Sequence, residues 1–158
     1  MTPQLRITEA LPGDAPRLAG LFDDYRRFYG RPPDPAAAGR FLRRRLERGE
    51  SVIFMADLAG SPAGFVQLYP SYDSVELDKI LILHDLFVEP EARRRGVARA
   101  LMEAVRRHAE TVGACGISLA TAVDNYRAQA LYEQLGYVRD ERFLHYFLNL
   151  SGRGRDGP

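Results

Sequence analysis

The sequence predicts a mixed α/β domain, and three observations carry that expectation. The first is Ile80 to Leu101, ILILHDLFVEPEARRRGVARAL, where an apolar run enters a Pro-marked turn, then three arginines, a glycine and an amphipathic stretch. Near-continuous apolar runs such as Ile80 to Leu83 and Leu86 to Val88 belong to strands buried on both faces. The second is the succession of period-2 and period-3.6 segments in the order β-α-α-β-β-β-α-β-α-β-β. The third is size: 158 residues, 46% hydrophobic and 27% charged, bound one globular domain with a real core and little room for a second.

Taken in order, Leu5 to Ala10 alternates apolar and polar residues and reads as a first strand. Asp14 caps a helix with Leu18, Leu21, Phe22, Tyr25 and Phe28 on one face, ended by Gly30 and the prolines at 32 and 33. Asp34-Pro35 opens a second helix with Ala38, Phe41, Leu42 and Leu46 inward and Gly49 as its stop. Strands follow over 51–59 and 63–69, joined by a turn around Gly60-Ser61-Pro62, and 71–79 reads as a polar loop. After the central strand, Val97, Leu101, Val105 and His108 recur at helical spacing until Gly113. Residues 116–121 give a short strand, Asp124 or Asn125 caps a helix over 126–135, and 137–140 and 143–150 read as two closing strands. The domain therefore spans 1–150, and the Gly-rich, charged stretch 151–158 reads as a disordered tail.

Strand, glycine-containing turn and helix together offer free backbone N–H groups and a positive helix end to a phosphate. A P-loop needs a Gly-Lys pair, and the single lysine is Lys79. A dinucleotide fingerprint needs three glycines, and Gly96 stands alone in its turn. Arg93-Arg94-Arg95-Gly96-Val97-Ala98 instead fits [QR]xxGx[GA], which resembles the acyl-CoA pyrophosphate loop of the GNAT-type N-acetyltransferases. The element order resembles that fold from first strand to last. It implies a twisted, mostly antiparallel sheet of about seven strands, two parallel central strands splayed apart, and four flanking helices. The resemblance also implies acetyl-CoA as cofactor, held by Arg93, Arg94, Arg95, Gly96, Val97, Ala98 and Arg99. The amides of Leu86, Phe87 and Val88 would pair with pantetheine, one of them polarising the thioester carbonyl.

A second stretch, Asn125 to Tyr137, NYRAQALYEQLGY, resembles the family's Asn-x-x-Ala-x-x-x-Tyr-x-x-x-Gly-[FY]. Asn125 and Tyr132 are two helical turns apart on one face, with the small Ala128 between them. In the family this face meets pantetheine and the phenol protonates the departing thiolate. A phenol titrating near ~10 and a thiol near ~8.5 make that transfer mildly uphill but feasible. The plainer reading is that Tyr132 only packs.

His84 and Asp85 interrupt an apolar strand, which requires a reason. Strict alternation sends His84, Leu86 and Val88 to one face and Asp85 and Phe87 to the other, and a bulge would change which side chain faces the cleft. The run Leu83 to Val88 resembles the Leu-Glu-Asp-Phe-Phe-Val of spermidine/spermine acetyltransferases, with His84 where the Glu acts as base. A histidine with pKa near ~6.5 suits that role, directly or through water. His84, Asp85 and a water relay stay open as the base, beside the plainer reading of a core histidine bonded to Asp85. Arg43-Arg44-Arg45 reads as a solvated face, His108 as packed and Cys115 as a core thiol.

Composition limits the rest. A net charge of +1 argues against a nucleic-acid or membrane surface, and one cysteine leaves no internal disulfide. The N-terminus reads as a strand and not a signal peptide, so the expected location is cytoplasmic. There is no metal-ligand spacing. The stretches GFVQLYPSY, LHDLFVEP and FLHYFLNL resemble a GNAT subgroup including fungal histone and D-amino-acid acetyltransferases. That implies an N-acetyltransferase acting by direct attack on the thioester, with an amino acid, a similar small amine or a basic protein tail as acceptor. Tyr25, Tyr29, Gln67, Tyr69, His84 and His145 are its candidate acceptor contacts. A polyamine or aminoglycoside acetyltransferase drawing on Asp73, Glu76 and Asp78 is the alternative, and a non-catalytic acyl-CoA-binding module is the alternative of another class. Closing strands of such folds often pair across a dimer, which leaves a homodimer open.

Overall fold

The computed structural model describes residues 4–152. Residues 153–158, most of the expected tail, lie outside the described residues; Ser151 and Gly152 form a bend. The chain falls into two compact units, Met1–Ala120 and Thr121–Pro158.

The first unit contains β1 (Leu5–Glu9), α1 (Ala15–Phe28), α2 (Pro35–Glu47), β2 (Val52–Leu58), β3 (Ser61–Asp73), β4 (Asp78–Val88), α3 (Val97–Thr111) and β5 (Gly116–Leu119). The strands lie side by side in chain order, antiparallel from β1 to β4, with β5 parallel to β4 at the edge. Proline at the first turn and the Asp34 carboxylate, accepting from the Ala37 amide at 2.9 Å, start α2. Asp14 also stands at the start of α1, but its carboxylate accepts from the Leu11 amide instead, bracing the turn ahead of the helix.

One face of the sheet takes α1 and α2. Leu18, Leu21, Phe22 and Leu42 pack there against Ile53, Met55, Phe65 and Phe87. Each such fully buried side chain is worth about 1.5–3 kcal/mol of apolar transfer. The other face takes α3: Phe54 meets His108 edge-on at 5.6 Å, and Gly64 lies under Val97. His108 is thus packed, as its spacing suggests. Phe28 and Phe41 are more exposed than their periodicity implies, because α1 and α2 turn those positions toward solvent.

Several expectations need correction. The segment 71–79 is not a loop: β3 runs to Asp73, β4 starts at Asp78, and the turn is only 74–77. The β2–β3 turn centres on Ala59 and Gly60, both at positive φ, so Ser61 and Pro62 already belong to β3. Cys115 is exposed and not a core thiol. The second unit contains α4 (Tyr126–Gln134), but residues 138–150 form no strand, so the sheet has five strands among the described residues and not seven. Val138, Leu144, Tyr146 and Leu148 are 92%, 82%, 89% and 78% exposed, so an alternating pattern there does not produce a packed strand. With five strands, β5 is an edge strand and the parallel pair is not central.

Candidate active site

The site in the first unit is built on a bulge in β4. Gln67 pairs with Asp85 while its neighbour Leu68 pairs with Leu83, so His84 is an extra residue with no partner in β3. A bulge bends the strand and re-aims side chains. Here it overrides the expected alternation: Asp85 stays on the face of Phe87, and His84 joins it there. The His84 Nδ1 lies 3.4 Å from Asp85 Oδ1, and its ring meets Tyr69 edge-on at 5.6 Å. His84, Asp85, Gln67 and Tyr69 therefore form one cluster.

Asp85 is buried and accepts from Gln67 Nε2 at 2.8 Å, and Gln67 Oε1 accepts from the Ser51 hydroxyl at 2.8 Å. Burial pushes the Tyr69 phenol up to about 12, with the Asp85 carboxylate adding to the rise, the Arg45 guanidinium opposing it and Glu50 adding further. Ser51 was not singled out from the sequence, although it shares the period-2 face of Ile53 and Met55, where a polar residue is out of place. Tyr25 lies among aromatic rings on the same sheet face, 6.2 Å from Phe87, 5.9 Å from Phe65 and 5.1 Å from Tyr29.

The β4–β5 ladder runs from Ile80–Gly116 to Leu83–Leu119 and stops beside the bulge, while β4 continues to Val88. Leu86, Phe87 and Val88 thus pair with β3 but have no β5 partner. Beyond them Glu89 leads into a short 3₁₀ turn, Pro90–Ala92. Burial, with Asp24 and Glu91 adding, raises the Glu89 carboxyl above its usual range, and Arg93 opposes this. Arg94 and Gly96 both take left-handed backbone, at φ 61° and 78°. Such alternation turns successive amides toward one concavity.

Gly96 is the N-cap of α3 and carries no side chain to bond the opening amides, and the first helical bond runs from the Ala100 amide to the Gly96 carbonyl. A diphosphate fits that donor set, with the exposed Arg94, Arg95 and Arg99 around it and Val97 and Ala98 in the first turn. Arg93 behaves differently. Its Nε donates to the Val88 carbonyl at 3.0 Å and its guanidinium sits 5.9 Å from the Phe87 ring centroid, which ties the turn to β4.

In the second unit, Asn125 caps α4: its Oδ1 accepts from the Ala128 amide at 3.2 Å. Its side-chain NH2 remains a donor on the same helix end. Tyr132 is buried, its ring 5.9 Å from that of Tyr137, whose amide donates to the Tyr132 carbonyl in the turn closed by Gly136 at φ 90°. His145 is exposed in a segment without regular structure. Asp73 and Asp78 serve the hairpin turn, their carboxylates accepting from the Val75, Glu76 and Lys79 amides. Among the described residues no group of three or more His, Cys, Asp or Glu is placed to hold a metal, and no helix is long and apolar enough to cross a membrane.

Residues 18–137 match the family described as Acetyltransferase (GNAT) family, a span that takes in every candidate residue but His145. An uncharacterized N-acetyltransferase of Bacillus subtilis, YhfO, is 43% identical over 149 residues, covering 94% of this chain and 100% of that protein. The D-amino-acid N-acetyltransferase HPA3 of Saccharomyces cerevisiae is 28% identical over 134 residues, covering 82% and 83% of the two chains. Among solved structures, a probable acetyltransferase superposes with a TM-score of 0.86 at 40% identity, covering 94% of this chain and 99% of that one. An aminoglycoside N-acetyltransferase in complex with CoA superposes with a TM-score of 0.79 at 24% identity, covering 94% and 97%, which shows the likeness of fold alone.

Proposed function

Because this chain belongs to the GNAT family of acetyltransferases, whose members use acetyl-CoA, we propose that residues 1–150 transfer an acetyl group to the primary amine of an amino acid or similar small amine. The observation that supports this most directly is the break in the β4–β5 ladder beside the bulge. It leaves the strand edge at Leu86 to Val88 running toward the uncapped start of α3. Acetyl-CoA supplies an activated thioester when bound. Of Leu86 to Val88, the amides that turn away from β3 would bond its peptide-like arm, and the turn from Arg93 to Ala98, with Arg99, would hold its phosphates.

His84 takes the proton of the attacking amine, directly or through water, and Asp85 stabilises the imidazolium that results. By the resemblance of its motif, Tyr132 would return a proton to the departing sulfur, and Asn125 and Ala128 share its helix face. Tyr25, Tyr29 and Tyr69 border the acceptor, with the fully buried Gln67 behind them holding Asp85. No acyl-enzyme is required, because the amine itself is the nucleophile. The likeness to a D-amino-acid acetyltransferase favours an amino acid acceptor.

The test is thiol release from acetyl-CoA in a screen of amino acids of both hands, polyamines, aminoglycosides and a histone-tail peptide. Release with an amino acid is the expected result. Calorimetry showing no coenzyme A binding would overturn the reading, and release only with polyamines or aminoglycosides would replace the acceptor class.

A further inference from the structure

Asp85 ends a chain of three buried polar side chains, Ser51 just ahead of β2, Gln67 in β3 and Asp85 in β4, and the chain has only one consistent direction. A carboxylate accepts hydrogen bonds and does not donate. The Gln67 amide must therefore turn its NH2 to Asp85 Oδ2, at 2.8 Å, which points its Oε1 at Ser51, also at 2.8 Å. Ser51 must then donate. Gln67 is fully buried and Ser51 nearly so, so water does not offer the amide an alternative orientation. With Oδ2 fixed in this way, Oδ1 faces the His84 Nδ1 at 3.4 Å. An acceptor at that nitrogen selects the Nδ1–H tautomer and puts the imidazole lone pair on Nε2.

We infer that Ser51 and Gln67 are positioning residues: acting through Asp85 Oδ2, they orient the carboxylate that sets the tautomer of His84. This rests on His84 being the base of the proposed transfer. The geometry behind it is the bulge, without which His84 and Asp85 would lie on opposite faces and the chain would end at a carboxylate with no imidazole beside it. Tyr69 of β3 meets the His84 ring, Arg45 of α2 and Glu50 ahead of β2 act on that phenol, and none of the three is changed by the substitutions below.

The experiment is long-range 15N–1H NMR of the His84 ring in the full chain, with steady-state kinetics on the same samples. Wild type, Ser51→Ala, Ser51→Thr, Gln67→Leu and Asp85→Asn are compared, with coenzyme A binding and thermal melting as checks that each is folded. The expected result is Nδ1–H in wild type and a shift toward Nε2–H in Ser51→Ala, Gln67→Leu and Asp85→Asn. The kcat of Ser51→Ala and Gln67→Leu should fall about tenfold or more at unchanged KM for acetyl-CoA, and Ser51→Thr should restore both signals. An Nε2–H wild type, a tautomer unmoved in Ser51→Ala and Gln67→Leu, or a moved tautomer with unchanged kcat each overturns the inference. His84→Ala separates the two readings: if it keeps wild-type turnover, the base assignment fails even where the tautomer responds as expected.

Discussion

Replacing Tyr132 by phenylalanine removes one oxygen from a buried ring that packs beside Tyr137. If the phenol is the acid, Tyr132→Phe lowers kcat by ~10²-fold while coenzyme A affinity, read by calorimetry, stays close to wild type. A packing-only role predicts the reverse, a change in melting temperature with kcat intact. Tyr69 makes a second residue-scale case. Its phenol is raised from 10.0 to about 12, so it holds its proton more tightly folded than unfolded. The stabilisation this gives is complete below pH 10 and is lost as pH rises through about 12. Tyr69→Phe should remove that component of the alkaline loss of stability, and ultraviolet titration should lose one late-ionising phenolate. Local pattern reads Asn125 as a helix start, and the family resemblance makes Tyr69 a candidate acceptor contact. Neither shows that Tyr69 and His84 touch, because that contact depends on register between two strands.

Among the elements, the helices were readable because their starts are marked in the chain itself, by Asp34-Pro35 before α2 and by Asn125 before α4. The ends of β3 and β4 were not. Where the hairpin reaches past the helices it has little apolar surface to bury, as the exposed Tyr72 shows, so hydrophobic alternation fades while the backbone ladder continues to Asp73–Asp78. The closing segment fails in the opposite way: Phe143 to Leu150 is rich in strand-forming side chains, but no strand forms there, and propensity alone does not make one. Two glycines test the central elements differently. A Cβ on Gly64 would sit 2.8 Å from the Phe87 carbonyl oxygen and 3.3 Å from both Val88 and Val97 side chains. Gly64→Ala should therefore cost about 1–3 kcal/mol, read as a lower melting temperature. At Gly96 there is open space around an added Cβ, but φ is +78°. Gly96→Ala should cost about 1–2 kcal/mol of backbone strain and weaken coenzyme A binding, with the sheet itself undisturbed.

For the molecule as a whole, charge is nearly balanced at +1, yet Arg93, Arg94, Arg95 and Arg99 gather at one turn. Such local charge acts within a screening length of about 8 Å at physiological salt. Coenzyme A affinity should consequently weaken severalfold from low to physiological ionic strength, with duplex DNA unbound at the latter; titration calorimetry and a mobility assay measure the two. The fold class and the family likeness were legible across the chain because the strand-turn-helix stretch and the α4 stretch are both local. The bulge, the ladder break and Ser51 were not, since each is defined by chain segments distant in sequence. The extra residue in β4 also bears on how this chain tolerates changes in length. Since Gln67–Asp85 and Leu68–Leu83 are already consecutive rungs once His84 is left out, excising that codon would restore an uninterrupted hairpin. Loss of the residue is then a gentler lesion for the scaffold than most single-residue gaps in a strand, which makes an excision mutant a clean way to separate foldedness from turnover.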